Sequence, residues 1–251
     1  MDPSALPTPT EVLYADDEII VIDKPSSMLT HTHSMDRESP TVIEALAPGF
    51  GESVYTVHRL DRMTTGAMVL ARTRPSAGEL SRQFRDREIG KTYLAIVRGH
   101  LDASGTIETP IARTTDSAVL QAHTDYTTLS WGRIDEPIGR YEEGWFSLVQ
   151  LSLLTGRSHQ ARRHLHRIDH PIVGDNKHGD KTYNRWAADR MGVRHLYLRA
   201  IELSFRHPLT GTAMRVRLGI PELWTRFLRE VGCDAPDSFR RDPSVCQLDG
   251  E

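Results

Sequence analysis

The stretch HRLDRMTTGAMVLA (residues 58–71) decides how the rest of the chain is interpreted. It begins with a charged loop in which Asp61 lies between Arg59 and Arg62, and it ends in the apolar run Ala67–Ala71, which is typical of a strand. Nearby cations favour the ionised form of a carboxylate. Asp61 is therefore suited to nucleophilic attack or to stabilising positive charge, and poorly suited to donating a proton. The alternative is a surface cluster of ion pairs with no catalytic role.

The segments around this stretch predict a chain of mixed helices and strands. Apolar and β-branched runs predict strands over 18–23, 54–57, 92–97, 146–153, 196–205 and 214–218, and one strand with long loops within 101–145. Capping patterns predict helices over 41–47 after Ser39, 76–87 from Ser76, 158–168 from Ser158, and 221–231. Because strands outnumber helices and do not alternate with them regularly, the pattern favours an α+β fold over a doubly wound sheet.

Length and composition restrict the class of protein. The 251 residues are 38% hydrophobic and 26% charged, which are globular proportions. No apolar run approaches the roughly 18 residues of a membrane-spanning helix, and MDPSALPTPT at the start lacks the pattern of a signal peptide. Two cysteines, Cys233 and Cys246, match neither a disulfide framework nor a zinc site. We therefore expect a reduced, cytoplasmic protein with no membrane partner.

Charge is distributed unevenly along the chain. The net charge is −3, but residues 56–100 carry +5 and residues 150–217 carry +8, whereas the other segments are acidic. Two basic segments can form one positive cleft, and polyanion binding depends on such a local patch rather than on total charge. Of the 31 basic residues 27 are arginine, whose planar fork suits phosphates and base edges. A GC-rich genome would also explain the arginine bias, but not its clustering.

A second charged constellation is LTGRSHQARRHL (residues 154–165). Arginine and histidine at the start of a helix lie beside free backbone N–H groups, which form a natural anion site. A metal site is disfavoured, because no HExxH motif is present and Asp169 directly precedes His170, so that these two side chains point apart. The histidines considered for such a site are His159, His164, His166 and His170. A solvated basic helix face is the remaining alternative.

A third feature is Lys91-Thr92-Tyr93, which opens a predicted strand. An aromatic ring beside cations suits base stacking, although packing in the core explains an isolated Tyr93 more simply. The chain contains no GxGxxG motif and no phosphate-binding P-loop.

Taken together, these segments resemble the RluA-type family of pseudouridine synthases. The matching pieces occur in the family's order: EIIVIDKPSSML (18–29), HRLDRMTTGAMVLA (58–71), KTYLAIVRG (91–99), LTGRSHQARRHL (154–165), HPIVGDNKHGD (170–180) and HLYLRAIELSFRHPLTG (195–211). The resemblance implies one synthase catalytic domain over 1–251, with a core of about 11–231, a tail of 232–251 and no S4 domain. It also implies a mixed, mostly antiparallel, bent sheet flanked by helices, with a central basic cleft.

Finer features resemble the tRNA pseudouridine synthase C branch (TruC), which acts on the uridine at position sixty-five in the T stem. They are the acidic insertion that ends in AHTDYTTL (122–129) and the run VGDNKHGDKTYNRWAADRMGVRHLYL (173–198). A synthase of the same family that acts on ribosomal RNA is the alternative. The chain departs from the family at Thr65, where Ser is usual, and at Ser26-Ser27, where Ala-Gly is usual. Arg199 replaces the usual His, which puts any role of that histidine in doubt.

The resemblance also implies a mechanism. Asp61 would be the catalytic carboxylate that attacks or assists at the ribose C1′, after which the uracil detaches, rotates and rejoins through C5. A paired uridine must first be flipped out of its stem, and Arg59 would occupy the vacated stack. Tyr93 would stack on the uracil and assist a proton transfer, and Arg157 would pair with Asp61. Phosphate and loop support is assigned to His58, Arg62, Lys24, His159, Arg162 and Arg163.

An isomerisation changes no redox state and needs no group donor, so the resemblance implies no cofactor and no metal. The expected partner is RNA, most simply tRNA, and the expected state is a monomer. Two hypotheses of other classes stay open at this stage. One is an RNA-binding module without catalysis, and the other is a phosphodiesterase that uses His159 and His166. RNA cleavage would distinguish the latter, because pseudouridine formation leaves the strand intact.

Overall fold

The computed structural model describes residues 10–31, 39–51, 53–112 and 118–239. These residues form two compact units. The first unit comprises the described residues up to Ile89 together with 200–218, and the second comprises 90–199 and 219–239. Each unit contains antiparallel strand pairs and helices, so the α+β prediction is confirmed. Most of the predicted tail, from residue 240 onward, lies outside the described residues.

Two strands at the centre of the first unit are buried on both faces. Its strands are β1 (Glu11–Ala15), β2 (Ile19–Lys24), β3 (Tyr55–Thr56), β4 (Thr65–Ala71), most of β11 (Leu198–Arg206) and β12 (Ala213–Arg217). β2 pairs with β1 and β4, β3 pairs with β4, and β12 pairs with β11, all antiparallel. Every residue of β4 is buried, as are Ile19–Ile22 of β2. Such strands lack polar alternation because neither face meets water, and their rigidity fixes the loop that leads into β4.

The N-cap residues of the helices in the first unit differ from those that the sequence predicted. Helix α1 (Val42–Phe50) is capped by Thr41 rather than by Ser39, because Glu44 completes a capping box only with Thr41. Helix α2 (Arg74–Arg85) is capped by Thr73 rather than by Ser76. The Ser76 hydroxyl instead donates to Glu18, a partner that is distant in sequence.

The second unit contains a four-stranded antiparallel sheet in the order β5-β10-β9-β6. The strands are β5 (Gly90–Arg98), β6 (Ser104–Ile107), β9 (Thr124–Ile134) and β10 (Gly144–Leu153), and a separate hairpin is formed by β7 (Ile111–Ala112) and β8 (Val119–Leu120). The prediction of one strand within 101–145 was therefore incomplete. The described part of that region holds four strands, and β9 alone has eleven residues.

Three helices complete the second unit: α3 (Gln160–Arg167), α4 (Lys181–Met191) and α5 (Glu222–Glu230). The cap of α3 is His159 in the left-handed conformation (φ 53°), without a side-chain capping bond, so the prediction of a Ser158 cap was wrong. Helix α4 was not predicted. Its signals are the cap Asp180, which accepts from the N–H groups of Thr182 and Tyr183, and Gly192 in the left-handed conformation after its end.

None of the helices in the described residues is long and apolar enough to span a membrane. The core of the second unit is aromatic, with the rings of Tyr197 and Phe227 stacked 4.4 Å apart and Phe146 and Trp224 packed around them. Cys233 is a free, buried thiol, and burial raises its pKa to about 12.

Candidate active site

The Asp61 loop (residues 57–64) connects β3 to β4 in the first unit. It contains a turn closed by a hydrogen bond from the Thr64 N–H to the Asp61 carbonyl, 3.0 Å long. Leu60 is buried, and its carbonyl accepts from the buried Thr30 hydroxyl. Asp61 is half-buried, whereas Arg59 and Arg62 on either side are exposed. The loop thus presents one carboxylate between two guanidinium groups, as the sequence predicted.

A buried ammonium group holds this loop against the end of β2. Lys24 has no exposed surface, and its Nζ donates to the carbonyls of Pro25 (2.9 Å), Met28 (2.8 Å) and Arg62 (3.1 Å). Burial lowers the pKa of Lys24 to about 7, and the negative charges of Asp61 and Asp23 act in the opposite direction. Lys24 therefore supports the loop from within and places positive charge near the Asp61 carboxylate.

His58 and Arg62 attach the ends of the loop to neighbouring segments. The His58 Nε2 accepts from the Val69 N–H at 3.1 Å, and the ring stacks on Phe84 with 4.5 Å between ring centres. An Nε2 that accepts from a backbone N–H cannot carry a proton itself. Arg62 donates to the Ser39 hydroxyl at 3.2 Å. These contacts show how the loop is supported; the predicted phosphate contacts of both residues stay predictions.

Only glycine fits where the loop enters β4. Gly66 has φ of +114°, and a Cβ atom placed there would lie 2.1 Å from the Ala200 carbonyl oxygen of β11. Any side chain would push the two strands apart. Next to it, Thr65, which stands where the family has Ser, is buried within β4. The loop therefore ends at a close approach of two backbones, which limits how far it can shift.

The second unit carries the other predicted site residues. Tyr93 lies on β5, is 9% exposed, and pairs in register with Leu151 of β10. Two residues earlier, the Lys91 ammonium lies 3.8 Å from the position that a Cβ on Gly156 would occupy. The start of β5 therefore lies beside the Arg157 turn (residues 154–159), which follows β10.

The Arg157 turn is organised by one neutral side chain that sequence reasoning did not single out. The amide oxygen of the buried Gln160 accepts from the Thr155 hydroxyl at 2.7 Å and from the Arg157 N–H at 3.0 Å. Its amide nitrogen donates to the His123 carbonyl at 2.9 Å and to the Thr124 hydroxyl at 3.0 Å. The signal for this residue was present, since Gln160 belongs to the quoted stretch 154–165.

One of the α3 residues that were assigned to phosphate and loop support lies in the interior. Arg162 is buried and donates through two nitrogens to the Asp175 carboxylate, at 2.7 and 2.8 Å. Burial works to raise the pKa of Asp175, but hydrogen bonds from Arg162 and from the His178 N–H outweigh it and lower that pKa. Arg162 therefore supports α3 from within. Arg163 is half-buried and donates to the Ala112 carbonyl of β7 at 2.7 Å.

The histidines near α3 are engaged with protein groups. His159 Nδ1 lies 2.9 Å from His178 Nε2, and burial lowers the pKa of His178 to about 4. His164 is buried between the Thr124 hydroxyl and the Thr109 carbonyl, and burial lowers its pKa as well. The described residues contain no group of three or more His, Cys, Asp or Glu side chains arranged to hold a metal ion.

The structure thus gathers the predicted residues in two sets, one in each unit. Lys24, His58, Arg59, Asp61 and Arg62 lie in or against the Asp61 loop. Tyr93, Arg157, His159, Arg162 and Arg163 lie on β5, the Arg157 turn and α3. Sequence reasoning missed Gln160, Asp175 and His178 as supports. The last two lie in the quoted stretch 170–180, but their partners are 10 or more residues away and spacing alone does not reveal them.

Comparisons with known proteins agree with these motifs. The family model described as RNA pseudouridylate synthase matches residues 18–167. The tRNA pseudouridine synthase C of Yersinia pestis is 37% identical over 233 residues, covering 88% of this chain and 91% of that protein. Its namesake from Pasteurella multocida is 37% identical over 225 residues, covering 85% and 93%.

Solved structures agree as well. Human RNA Pseudouridylate Synthase Domain Containing 1 matches with a TM-score of 0.68 at 25% identity, covering 88% of this chain and 87% of that one. Human RNA Pseudouridylate Synthase Domain Containing 4 matches with a TM-score of 0.66, also at 25% identity. The resemblance drawn from the motifs is confirmed, and because the family model spans more than half of the sequence, the chain belongs to the RNA pseudouridylate synthase family and is an isomerase that acts on RNA.

Proposed function

We propose that this chain converts one uridine of tRNA into pseudouridine, at position sixty-five in the T stem. Two observations support tRNA as the substrate. Relatives named tRNA pseudouridine synthase C are similar over most of their length, and the quoted stretches 122–129 and 173–198 resemble that branch. The observation that carries the reaction is the half-buried Asp61 carboxylate between two exposed arginines, on a loop anchored by Lys24.

The reaction requires that the target uridine leave its stem. A paired base is out of reach of a carboxylate, and flipping it out costs a few kcal/mol. Arg59 is exposed beside Asp61 in the same loop. We assign to its guanidinium group the place of the flipped base in the stack, because a planar cation can stack between bases and repay part of that cost.

The chemistry moves a bond without changing the composition of the nucleotide. Asp61 attacks or assists at C1′, the bond from C1′ to N1 breaks, and a bond from C1′ to C5 forms. The proton on C5 is lost, and N1 gains one. Tyr93 stacks on the uracil and assists that proton transfer, and Arg157 supplies the cation that pairs with Asp61 and orients its carboxylate.

The first experiment tests the reaction and the role of Asp61 together. We expect Asp61→Ala to abolish pseudouridine formation in a tRNA transcript, while affinity for the same transcript falls by less than about tenfold (~1.4 kcal/mol). Asp61→Asn should also be inactive, because it keeps the shape of the side chain and removes its charge. Residual turnover in either variant would remove Asp61 from the central role. Wild-type protein that binds tRNA but never modifies it would instead support the RNA-binding alternative.

The second experiment tests the substrate. Pseudouridines in total RNA can be mapped by carbodiimide primer extension in cells with and without the gene. One pseudouridine signal, at position sixty-five of tRNA, should be present with the gene and absent without it. A transcript with cytidine at that position should bind but give no product. A lost signal in ribosomal RNA alone would favour the alternative synthase, and cleavage of the transcript would favour the phosphodiesterase.

We further propose that residues 1–251 form one catalytic domain that acts as a monomer in the cytoplasm without a cofactor. The motifs that carry the resemblance extend from residue 18 to residue 211, which is the reason to expect a single functional domain. Light scattering after size exclusion should give the mass of one 28.3 kDa chain. A stable dimer, or activity that depends on an added metal or nucleotide, would contradict this proposal.

A further inference from the structure

We propose that residues 121–124 form a positioning segment for Arg157, and that Gln160 and Thr124 are the side chains through which it acts. The inference rests on the proposed role of Arg157. It assigns a function to part of the acidic insertion, for which the sequence predicted only a strand with loops.

Arg157 is held at both ends. Its side-chain Nε donates to the Gln121 carbonyl at 3.0 Å, and its main-chain N–H donates to the Gln160 amide oxygen at 3.0 Å. A guanidinium group is planar and carries five N–H donors in a fixed arrangement. Fixing the Nε–H therefore also fixes the direction of the terminal N–H groups, which can donate to a carboxylate.

The orientation of the Gln160 amide is determined by its partners. The Arg157 N–H can only donate and the His123 carbonyl can only accept, so the amide oxygen faces Arg157 and the amide nitrogen faces His123. The Thr155 hydroxyl donates to the same oxygen and also accepts from the His123 N–H at 2.9 Å. The segment and the turn are thus joined through both main-chain groups of His123.

Thr124 connects Gln160 to the interior. Its side chain is fully buried, and its hydroxyl accepts from the Gln160 amide nitrogen at 3.0 Å. The same hydroxyl lies 2.9 Å from His164 Nδ1, and His164 Nε2 lies 2.8 Å from the Thr109 carbonyl. Since a carbonyl only accepts, Nε2 carries the proton, and Nδ1 of the neutral ring accepts from Thr124. The Thr124 hydroxyl therefore donates to His164 and accepts from Gln160.

The segment is itself restricted by two carboxylates that lie on either side of the His123 ring. The two ring nitrogens lie 2.9 Å from a Glu108 carboxylate oxygen and 3.0 Å from an Asp125 carboxylate oxygen. The Thr106 hydroxyl of β6 also donates to Asp125, at 2.7 Å. A side chain held from both sides restricts the backbone that carries it, so the carbonyls of Gln121 and His123 stay in place for their donors.

The test compares two substitutions of the same buried residue. Thr124→Val keeps the shape and removes the hydroxyl, whereas Thr124→Ser keeps the hydroxyl and removes a methyl group. The first readout is hydrogen exchange of the Arg157 Nε–H by NMR, assigned by the loss of its signal in Arg157→Lys. It does not require activity. The second is the single-turnover rate on saturating tRNA, measured beside the dissociation constant.

We expect Thr124→Val to accelerate Nε–H exchange by about tenfold or more, and to lower the single-turnover rate by about tenfold to fiftyfold while affinity changes less than about threefold. Thr124→Ser should restore both values to within about threefold of the wild type. Gln160→Glu, which places a carboxylate against the His123 carbonyl, should resemble Thr124→Val.

Two results would overturn the proposal: Nε–H exchange that is unchanged in both Thr124→Val and Gln160→Glu, or equal effects of Val and Ser at position 124, which would indicate packing alone. If the wild type modifies no tRNA but exchange still separates Val from Ser, the segment does position Arg157 and the proposed function is what fails. Thermal unfolding of each variant identifies any that does not fold. The proposal is then tested with the variants that do fold.

Discussion

The Asp61 loop and the Arg157 turn are both short polar segments next to buried strands, yet different chemistry holds each in place. In the Asp61 loop, a charged donor without exposed surface, Lys24, binds three main-chain carbonyls. In the Arg157 turn, the neutral amide of Gln160 makes four hydrogen bonds, and the helix that follows is anchored by the ion pair of Arg162 with Asp175.

This difference determines which substitutions and which changes of pH each segment tolerates. Carbonyl acceptors are supplied by any residue type, so the Asp61 loop depends on one side chain that cannot be replaced. The Arg157 turn depends on several side chains whose donors and acceptors match each other. A buried ammonium group also responds to pH, whereas an amide does not. The two segments should therefore fail in different ways, and each of the following experiments separates them.

The largest effect is expected from breaking the buried ion pair behind the Arg157 turn. Asp175→Asn removes the carboxylate that two nitrogens of the buried Arg162 guanidinium bind, and we expect a loss of about 3–5 kcal/mol in the free energy of unfolding. Asp169→Asn is the matched control, since the Asp169 side chain also pairs with an arginine, Arg98, but is 92% exposed. The control should cost less than about 1 kcal/mol. Urea denaturation measures both, and equal losses would show that burial of the pair is unimportant.

A smaller effect, on activity rather than on folding, is expected from Lys24→Met. The substitution removes the charge from the interior but leaves the carbonyls of Met28 and Arg62 without their donor, so the Asp61 loop is free to shift. A displacement of about 1 Å at a reacting group can cost about 100-fold in rate. We expect a loss of that size in the single-turnover rate on tRNA.

Lys181→Met is the matched control for Lys24→Met, because Lys181 is exposed at the start of α4. It should keep the wild-type rate. A Lys24→Met enzyme that modifies tRNA at the wild-type rate would contradict the view that one ammonium group positions the Asp61 loop.

The contrast between the two segments also explains what the sequence could predict. The strands β2, β4, β5 and β10 were predicted nearly to their ends, because their apolar runs are long and buried. The N-cap residues were harder to predict, because several Ser and Thr residues near each helix start could serve as the cap. Which of them does so depends on partners that are distant in sequence, as the hydrogen bond from the Ser76 hydroxyl to Glu18 shows. Glu44 was a local signal for Thr41 that the prediction did not use.

For the site, the sequence places Asp61 between Arg59 and Arg62, and the structure shows that both arginines are exposed and that Asp61 is half-buried. It did not predict that Lys24 and Arg162 are buried, because both belong to residue types that are mostly exposed and burial follows from tertiary packing. The supports of the Arg157 turn could not be predicted from spacing, since Gln160 reaches His123, 37 residues earlier. The roles of Tyr93 and Arg157 stay predictions.

The pH dependence of the free energy of unfolding should show an effect of intermediate size. Burial lowers the pKa of Lys24 to about 7 in the folded protein, compared with 10.5 for an unburied lysine. Between these values the unfolded chain binds one proton more than the folded chain, so the Lys24 contribution to stability rises with pH, by about 1.4 kcal/mol per pH unit.

Measured against Lys24→Met, the wild type should therefore gain about 1–2 kcal/mol in relative stability from pH 7.5 to pH 9. Urea denaturation at several pH values gives the difference. Below about pH 6 the difference should be constant, because Lys24 is protonated in both states. Parallel curves for the two proteins over the whole range would mean that burial does not depress this pKa.

The smallest effect is expected at Arg163, whose guanidinium donates to the Ala112 carbonyl and is half-buried on α3. If it also contacts a phosphate, Arg163→Ala should weaken tRNA binding by less than about tenfold and reduce the slope of log Kd against log salt by about 1. Arg133→Ala changes the net charge equally, but Arg133 pairs with Asp135 and Glu143 in an acidic segment. Its slope should equal that of the wild type. Because charge alone would alter both slopes together, only a selective change at Arg163 places α3 on the path of the RNA backbone.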